Sequence, residues 1–255
     1  MVWIDWAPSV VLSATCNAEF SAVSLADSSV IVYSKRGKRS ALFRLPTPCI
    51  QLESTESLLM LLTADGMLRR WDYTEGKELH RPVSLRGVIK NASDAEEIWL
   101  HRNGIPVVVS RTREEVLLLD TARLEWTCVA SGYFADCSQL WDSRMRGRDL
   151  AASRDSYAQT SEPVRLAETL INQLVLQRPI EQGLTRHTPP KENVNTFKLA
   201  CALRHLEARM QAAELLESPV EYKTYLLLYA KKLSDEGVKN LAEDLVKSLI
   251  GPIYL

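Results

Sequence analysis

Side chains that could act as catalysts or metal ligands are few in this chain and stand far apart. None of the four histidines has a cysteine or carboxylate at a spacing typical of a catalytic pair or a zinc site. The five cysteines are scattered and include no C-x-x-C pair, and nucleophile-elbow, P-loop and H-E-x-x-H motifs are missing. The residues concerned are His80, His101, His187, His205, Cys16, Cys49, Cys128, Cys137 and Cys201.

This pattern predicts a protein that is not an enzyme and that needs no cofactor and no metal ion. The alternative is an enzyme whose site is assembled from distant positions. A turnover abolished by a single histidine or cysteine substitution would support that alternative.

The charge composition and the cysteine content limit which partners and which compartment we expect for this chain. The 255 residues carry 31 Lys and Arg against 32 Asp and Glu, a net charge of −1, and nucleic-acid binding usually needs a basic stripe. Direct nucleic-acid binding is therefore disfavoured. An odd number of scattered cysteines suits a reducing compartment, and no apolar run approaches the roughly 18 residues of a membrane span. We expect a soluble, intracellular protein without membrane contact.

The first half of the chain repeats a strand–turn–strand pattern. Alternating residues Phe20–Leu25 lead through a polar turn to Val30–Tyr33, and the pattern returns about 38 residues on, at Leu58–Leu62 and Met67–Asp72. A third copy follows at Ile105–Asp120. A closed propeller needs about four to eight blades of roughly 40 residues. Residues 1–131 therefore predict partial WD-repeat β-propeller blades, too few to close a ring.

The second half changes to helical spacing after a polar linker, predicted at 132–163. Residues 164–255 are predicted as a C-terminal helical bundle, which gives a mainly β plus α fold. Leu199, Leu203, Leu206, Met210 and Ala213 form an a/d seam. Residues 218–221 (Ser-Pro-Val-Glu) predict a capping box that opens a helix over 219–233, apolar on most sides and buried on more than one face. A last helix is predicted to end at Gly251-Pro252.

Two blocks of residues resemble the C-terminal domain of the HIRA/Hir family of histone chaperones and corepressors. The first runs from Leu12 to Phe20, through the hairpin ending at Tyr33, to Leu61–Ala64 and Trp71-Asp72. The second comprises Leu206-Glu207, Ala212-Ala213, Leu216, Ser218, Glu221-Tyr222, Tyr225–Leu227, Tyr229-Ala230, Leu233, Glu236-Gly237 and Leu249–Pro252. Together the blocks cover about half of the chain.

The resemblance implies a nuclear scaffold subunit of a complex that deposits histones independently of replication and represses transcription. It implies self-association, as a trimer, and docking of a large helical-repeat subunit. The family's N-terminal propeller and basic segment have no counterpart here. Histones are therefore expected to be partners only indirectly. A similar propeller–helix trimer, the replisome adaptor family, is the alternative, with client peptides captured by its helices.

Two sets of residues are candidates for these contacts. Trp71 and Asp72, the WD dipeptide, are expected at the self-association surface, or else as a structural pair between blades. The partner or oligomer interface is expected to use residues on the predicted helices, which could instead pack on each other within the chain. These residues are Leu199, Leu203, Leu206, Met210, Tyr222, Tyr225 and Tyr229.

Overall fold

The computed structural model describes residues 3–88, 97–141, 162–178, 187, 188, 190 and 192–250. The chain divides into two compact units. Residues 1–112 with 119–126 form the first, and residues 113–118 with 127–255 form the second. In the described ranges, no helix has both the length and the apolarity that crossing a bilayer requires.

The described strands form three sheets, each built from strands consecutive in sequence. The first sheet runs β1-β2-β3-β4, with β1 Val11–Cys16, β2 Phe20–Leu25, β3 Ser29–Ser34 and β4 Arg39–Arg44. The second runs β5-β6-β7-β8, with β5 Cys49–Thr55, β6 Leu58–Thr63, β7 Met67–Asp72, β8 Lys77–Glu78, and β9 Val83–Ser84 beside β7. The third runs β10-β11-β12-β13, with β10 Glu97–Leu100, β11 Pro106–Ser110, β12 Glu115–Asp120 and β13 Glu125–Ser131. These are propeller-like blades, as predicted.

The first two sheets share one apolar core, and their strands β3 and β6 are buried at five of six positions each. Phe20 and Leu59 are fully buried in this core, and the Phe20 ring stacks on Tyr73 at 4.8 Å between centroids. The hydroxyls of Thr15 on β1 and Ser54 on β5 are hydrogen-bonded at 2.9 Å. A blade of this kind can bury its two faces only against neighbouring blades, and this is why successive repeats pack on one another.

Helices make up the rest of the described chain. They are α1 Gly132–Cys137, α2 Pro163–Leu176, α3 Val194–Leu215, α4 Pro219–Asp235 and α5 Lys239–Ile250. The predicted seam lies on α3, where Leu203 and Leu206 are buried against Tyr229 and Leu233 of α4. The fold class is therefore confirmed: partial blades followed by C-terminal helices.

Two details of the helical half differ from expectation. Residues 132–141, assigned to the linker, contain helix α1 and the buried Trp141, whereas 142–161 lie outside the described residues. Helix α4 is not buried on several faces, since Val220 and Leu227 are 74% and 61% exposed. The predicted end at Gly251-Pro252 also lies outside the described residues.

The predicted capping box does not form. The Ser218 side chain makes no capping hydrogen bond to the backbone N–H groups at the start of α4. The Glu221 carboxylate instead accepts the backbone N–H groups of Val164 and Arg165, at 3.1 and 3.0 Å. Because Pro163 at the start of α2 has no N–H, these are the first free donors of that helix. Glu221 therefore caps a different helix, one that precedes it by 57 residues.

Candidate functional site: the Trp71 groove and the helical surfaces

Asp72 holds the turn between β7 and β8. Its Oδ1 accepts the N–H groups of Thr74 and Glu75 at 2.7 and 2.9 Å. Its backbone oxygen accepts the N–H of Gly76 at 2.8 Å. An aspartate that satisfies the donors two and three residues on fixes a tight turn. The carboxylate thereby acts inside the chain, as the structural interpretation of the dipeptide expects.

Trp71 also packs between the blades, against the core of the first two sheets, but part of its ring stays accessible. Its ring is half-buried beside Phe43, at 5.5 Å between ring centroids, and lines an open cavity of about 280 Å³. This cavity, called the Trp71 groove below, is lined by Phe43, Arg44, Leu45, Leu61, Arg69, Trp71, Gly76, Lys77 and Glu78. The turn held by Asp72 supplies one side of the groove. The dipeptide thus joins an accessible aromatic surface to the turn beside it.

Arg69 is the most informative charge in the groove. Its Nη1 donates to Glu78 Oε1 at 2.9 Å, whereas its buried Nε has no hydrogen-bond partner among the described residues. Arginine binds carboxylates best through two parallel N–H groups. The unsatisfied Nε is a donor that burial has removed from bulk water.

The predicted interface residues on the helices fall into two groups. Leu203, Leu206 and Tyr229 are buried in the α3–α4 core, and Leu199 and Met210 pack against the same cluster. The Tyr229 hydroxyl donates to Glu207 at 2.8 Å, and burial raises the pKa of this phenol. These five residues pack within the chain.

The remaining two tyrosines are half-buried. Tyr225 lies 5.2 Å from the Arg209 guanidinium and donates to Glu221 at 3.4 Å, and burial raises its pKa. Tyr222 keeps part of its ring in solvent. A contact with another subunit through these two rings stays a prediction.

The predicted interface did not include the apolar residues that the helices leave in solvent. They are Val220, Leu227 and Leu228 on α4, with Leu241, Val246, Leu249 and Ile250 on α5. Helix α5 has no buried residue, although its residues Ala242 and Leu245, and Val238 just before it, pack partly on the helical core. Helical spacing shows that a stripe is apolar but cannot tell which of two stripes has a partner. The exposed stripes are candidate docking surfaces.

A buried polar cluster centres on His205. The Ser138 hydroxyl lies 2.9 Å from His205 Nδ1, and the Glu168 carboxylate lies 2.9 Å from Nε2. Glu168 also accepts from Arg209 Nε, and from Nη2 at 2.8 Å. Burial lowers the pKa of His205 despite the opposing carboxylate. Burial alone would raise the pKa of Glu168, but the bonds from His205 and Arg209 outweigh it and the pKa is lowered.

The cluster has the residue types of a serine–histidine–acid triad but is closed to a substrate. The His205 ring is fully buried and stacks against Phe134 and Trp141 at 4.9 and 5.3 Å. Both ring nitrogens are already engaged, and Glu168 is neutralised by Arg209. A catalytic base must reach the proton that it removes. We therefore assign this cluster to structure.

A family model decides the identity of the chain. The model described as Hira, TUP1-like enhancer of split, matches residues 41–249. The chain belongs to the Hira family. The resemblance carried by the two residue blocks is thereby confirmed, and so is the prediction that the chain is not an enzyme, because the family is non-catalytic.

Relatives in fungi match the chain from end to end. Protein HIR1 of Mycosarcoma maydis is 39% identical over 268 residues, which cover 100% of this chain and 26% of the relative. Histone transcription regulator slm9 of Schizosaccharomyces pombe is 24% identical and covers 99% of this chain and 32% of its own length. The chain therefore spans about a quarter to a third of the length of these relatives.

A solved structure of a Hira-family member has the same fold. The crystal structure of HIRA(644-1017) aligns with a TM-score of 0.65 and 24% identity, and the alignment covers 97% of this chain and 71% of that one. Blade-like sheets followed by helices are thus the architecture of this region of the family.

Among the described residues, no group of three or more His, Cys, Asp or Glu side chains is arranged to hold a metal ion.

Proposed function

We propose that this Hira-family chain is an assembly scaffold of a HIRA-type histone chaperone complex in the nucleus. It self-associates, as a trimer, and docks a large helical-repeat subunit. Histones are reached only through the complex, which assembles nucleosomes independently of replication and represses transcription. Family membership and the name of the slm9 relative, a histone transcription regulator, support this proposal.

The observation that carries the proposal is the Trp71 groove. A half-buried tryptophan in a concave, partly apolar site has the properties of an interface hot spot. The exposed stripes of α4 and α5 offer a second, separate surface for the large subunit. Net charge near zero argues against direct nucleic-acid binding in this role.

Light scattering behind size exclusion, over a concentration series, tests self-association. We expect a stable multiple of 28.7 kDa, three for a trimer. Trp71→Ala should raise the dissociation constant by about 30-fold or more, since hot-spot truncations cost about 2 kcal/mol or more. Trp6→Ala is the matched control, because Trp6 is 86% exposed and lies outside the groove. A monomer at all concentrations would contradict the proposal.

A second candidate is client-peptide capture, as in the replisome adaptor family. A cleft of about 170 Å³ on the helices favours it, lined by Glu162, Arg165, Val220, Glu221, Thr224 and Tyr225. Glu221 is engaged by the N–H groups of α2 and Glu162 by Arg165, so the exposed Val220 beside Tyr225 would supply the contact with an apolar side chain of the peptide. Saturable binding of a fluorescein-labelled decapeptide alternating lysine and leucine, lost in Val220→Asp, would support capture. Equal binding to both proteins would exclude this cleft.

A further inference from the structure

Helix α4 leaves a line of four side chains in solvent, on the side opposite its packed residues. The four follow one another at spacings of three, four and four, so they share one side of the helix. They are Val220, Lys223, Leu227 and Lys231, called the α4 outer stripe below. Val220 is 74% and Leu227 61% exposed, and Leu228, 42% exposed, borders the stripe. Single apolar residues on a surface are ordinary, whereas a contiguous group of three marks a contact site.

The stripe also carries positive charge without a counter-charge in the part of the chain that the structure describes. Lys232 on the same helix donates to Glu236 at 2.7 Å, whereas neither Lys223 nor Lys231 forms an ion pair with a described residue. The exposed positions of α4 from Val220 to Lys231 include no carboxylate. A partner that satisfies the stripe must therefore bring apolar side chains together with negative charge.

Carboxylates near the two ends of the stripe do not supply this charge. Asp235 stands one turn after Lys231, but no ion pair joins them. Glu162 lines the cleft beside Val220 and is held by Arg165 at 3.0 Å. The two lysines thus remain available to a partner.

The spacing of the stripe fits a helix as its partner. Val220 and Leu227 are seven residues apart, about 10 Å along the axis, which is the repeat of the apolar positions on a facing helix. Two copies of the stripe would set lysine against lysine, which is unfavourable. The exposed charges of α5 are two lysines and two carboxylates, so α5 of a second copy is not an acidic helix either. The partner is therefore a different protein.

We propose that the α4 outer stripe binds an acidic amphipathic helix of a partner subunit. Aliphatic side chains of that helix pack on Val220 and Leu227. Its carboxylates, at the positions that flank its apolar side, bind Lys223 and Lys231. This inference rests on the proposed docking of a second subunit at the exposed stripes, chooses α4 over α5, and states the chemistry that the docking segment must have.

A designed peptide tests the apolar part of the stripe. The probe is a fluorescein-labelled peptide of three copies of the heptad Leu-Ala-Gln-Leu-Glu-Ala-Glu, followed by fluorescence anisotropy. We expect saturable binding to the chain, and binding roughly tenfold weaker when glutamine replaces glutamate in the peptide. Leu227→Ala should weaken binding by roughly tenfold, because the contact buries this side chain. Leu42→Ala is the matched control, since Leu42 on β4 is also 61% exposed, and should leave binding unchanged.

Charge reversal separates the two lysines of the stripe from non-specific attraction. Lys223→Glu combined with Lys231→Glu should weaken binding of the acidic peptide by roughly tenfold or more. Lys35→Glu combined with Lys38→Glu changes the net charge equally, at exposed positions in the β3–β4 turn, and should keep the affinity within about threefold. A peptide with lysine in place of glutamate should bind the first double variant roughly tenfold more tightly than the second.

Circular dichroism verifies the folding of each variant, and light scattering measures self-association in the same samples. Equal binding of the acidic peptide to both double variants, or none to the unchanged chain, overturns this inference and leaves the proposed self-association standing. A monomeric chain that binds the acidic peptide through the stripe supports this inference and contradicts the proposed self-association. Loss of self-association in Lys223→Glu with Lys231→Glu would assign the stripe to a second copy and also overturn the inference.

Discussion

Removal of Glu168 should be among the most destabilising single changes in the helical unit. Its carboxylate is the acceptor for both His205 Nε2 and the Arg209 guanidinium, and the side chains of Glu168 and Arg209 are each only 8% exposed. Glu168→Ala leaves a buried arginine without its counter-charge. Breaking a buried pair in this way costs about 3–5 kcal/mol.

Urea unfolding followed by circular dichroism at 222 nm measures this cost on the helices. With a slope of about 3 kcal/mol per molar urea, Glu168→Ala should lower the midpoint by roughly 1 to 1.7 M. Glu168→Gln keeps an acceptor oxygen and should lose less, about 1–3 kcal/mol. Glu214→Ala, at an exposed position on α3, is the control and should stay within about 0.5 kcal/mol. Equal midpoints for Glu168→Ala and Glu214→Ala would refute the reasoning.

Three further changes test the same unit. Burial lowers the pKa of His205 in the folded chain, so the neutral side chain contributes its full stability above about pH 6.5. This contribution is lost as the pH falls through the folded pKa. In urea titrations below pH 6.5, His205→Gln should reduce the dependence of the unfolding free energy on pH by up to about 1.4 kcal/mol per pH unit. Gly132→Ala should destabilise by roughly 1–3 kcal/mol, since a Cβ there would overlap the Glu114 carboxylate. Glu221→Ala should cost about 1–2 kcal/mol and increase amide exchange at Val164, because the first turn of α2 loses its acceptor.

Each of these has a specific contrary result. An unchanged pH slope in His205→Gln would place the titration on another group. A Gly132→Ala protein as stable as the unchanged chain would mean that the Glu114 side chain can move aside at little cost. Amide exchange at Val164 that is equal with and without Glu221 would show that another acceptor, or water, serves that N–H.

Local patterns in the sequence predicted the elements well. Strands β2 and β7 lie where alternation placed them, because period two and turn residues such as Asp65-Gly66 act over a few positions. The helical region was predicted to begin at residue 164, and its first helix is observed at Pro163–Leu176. The α3 seam packs as its spacing indicates. In all of these, the determining contacts are close in sequence or follow from a repeat.

Tertiary partners of polar residues could not be predicted in the same way. Glu221 stands three residues after Ser218, as the second residue of a capping box would, but it accepts the N–H of a residue 57 positions earlier in the chain. Glu168 and Arg209 are 41 residues apart, and neither spacing nor type links them. The same limit applies to the groove, since Arg69 and Phe43 meet only when two blades pack. The sequence could therefore not decide whether Trp71 lies at an interface or in the core.

The capping of α2 by Glu221 has a consequence for the protein during its synthesis. Helix α2 leaves the ribosome 57 residues before the carboxylate that its first turn requires. At about 5–20 residues per second, this delay is roughly 3–11 s. During that interval the beginning of α2 depends on water for its N–H groups and is exposed to chaperones and proteases. In a truncated chain that ends before residue 221, the first turn of α2 would permanently lack this cap.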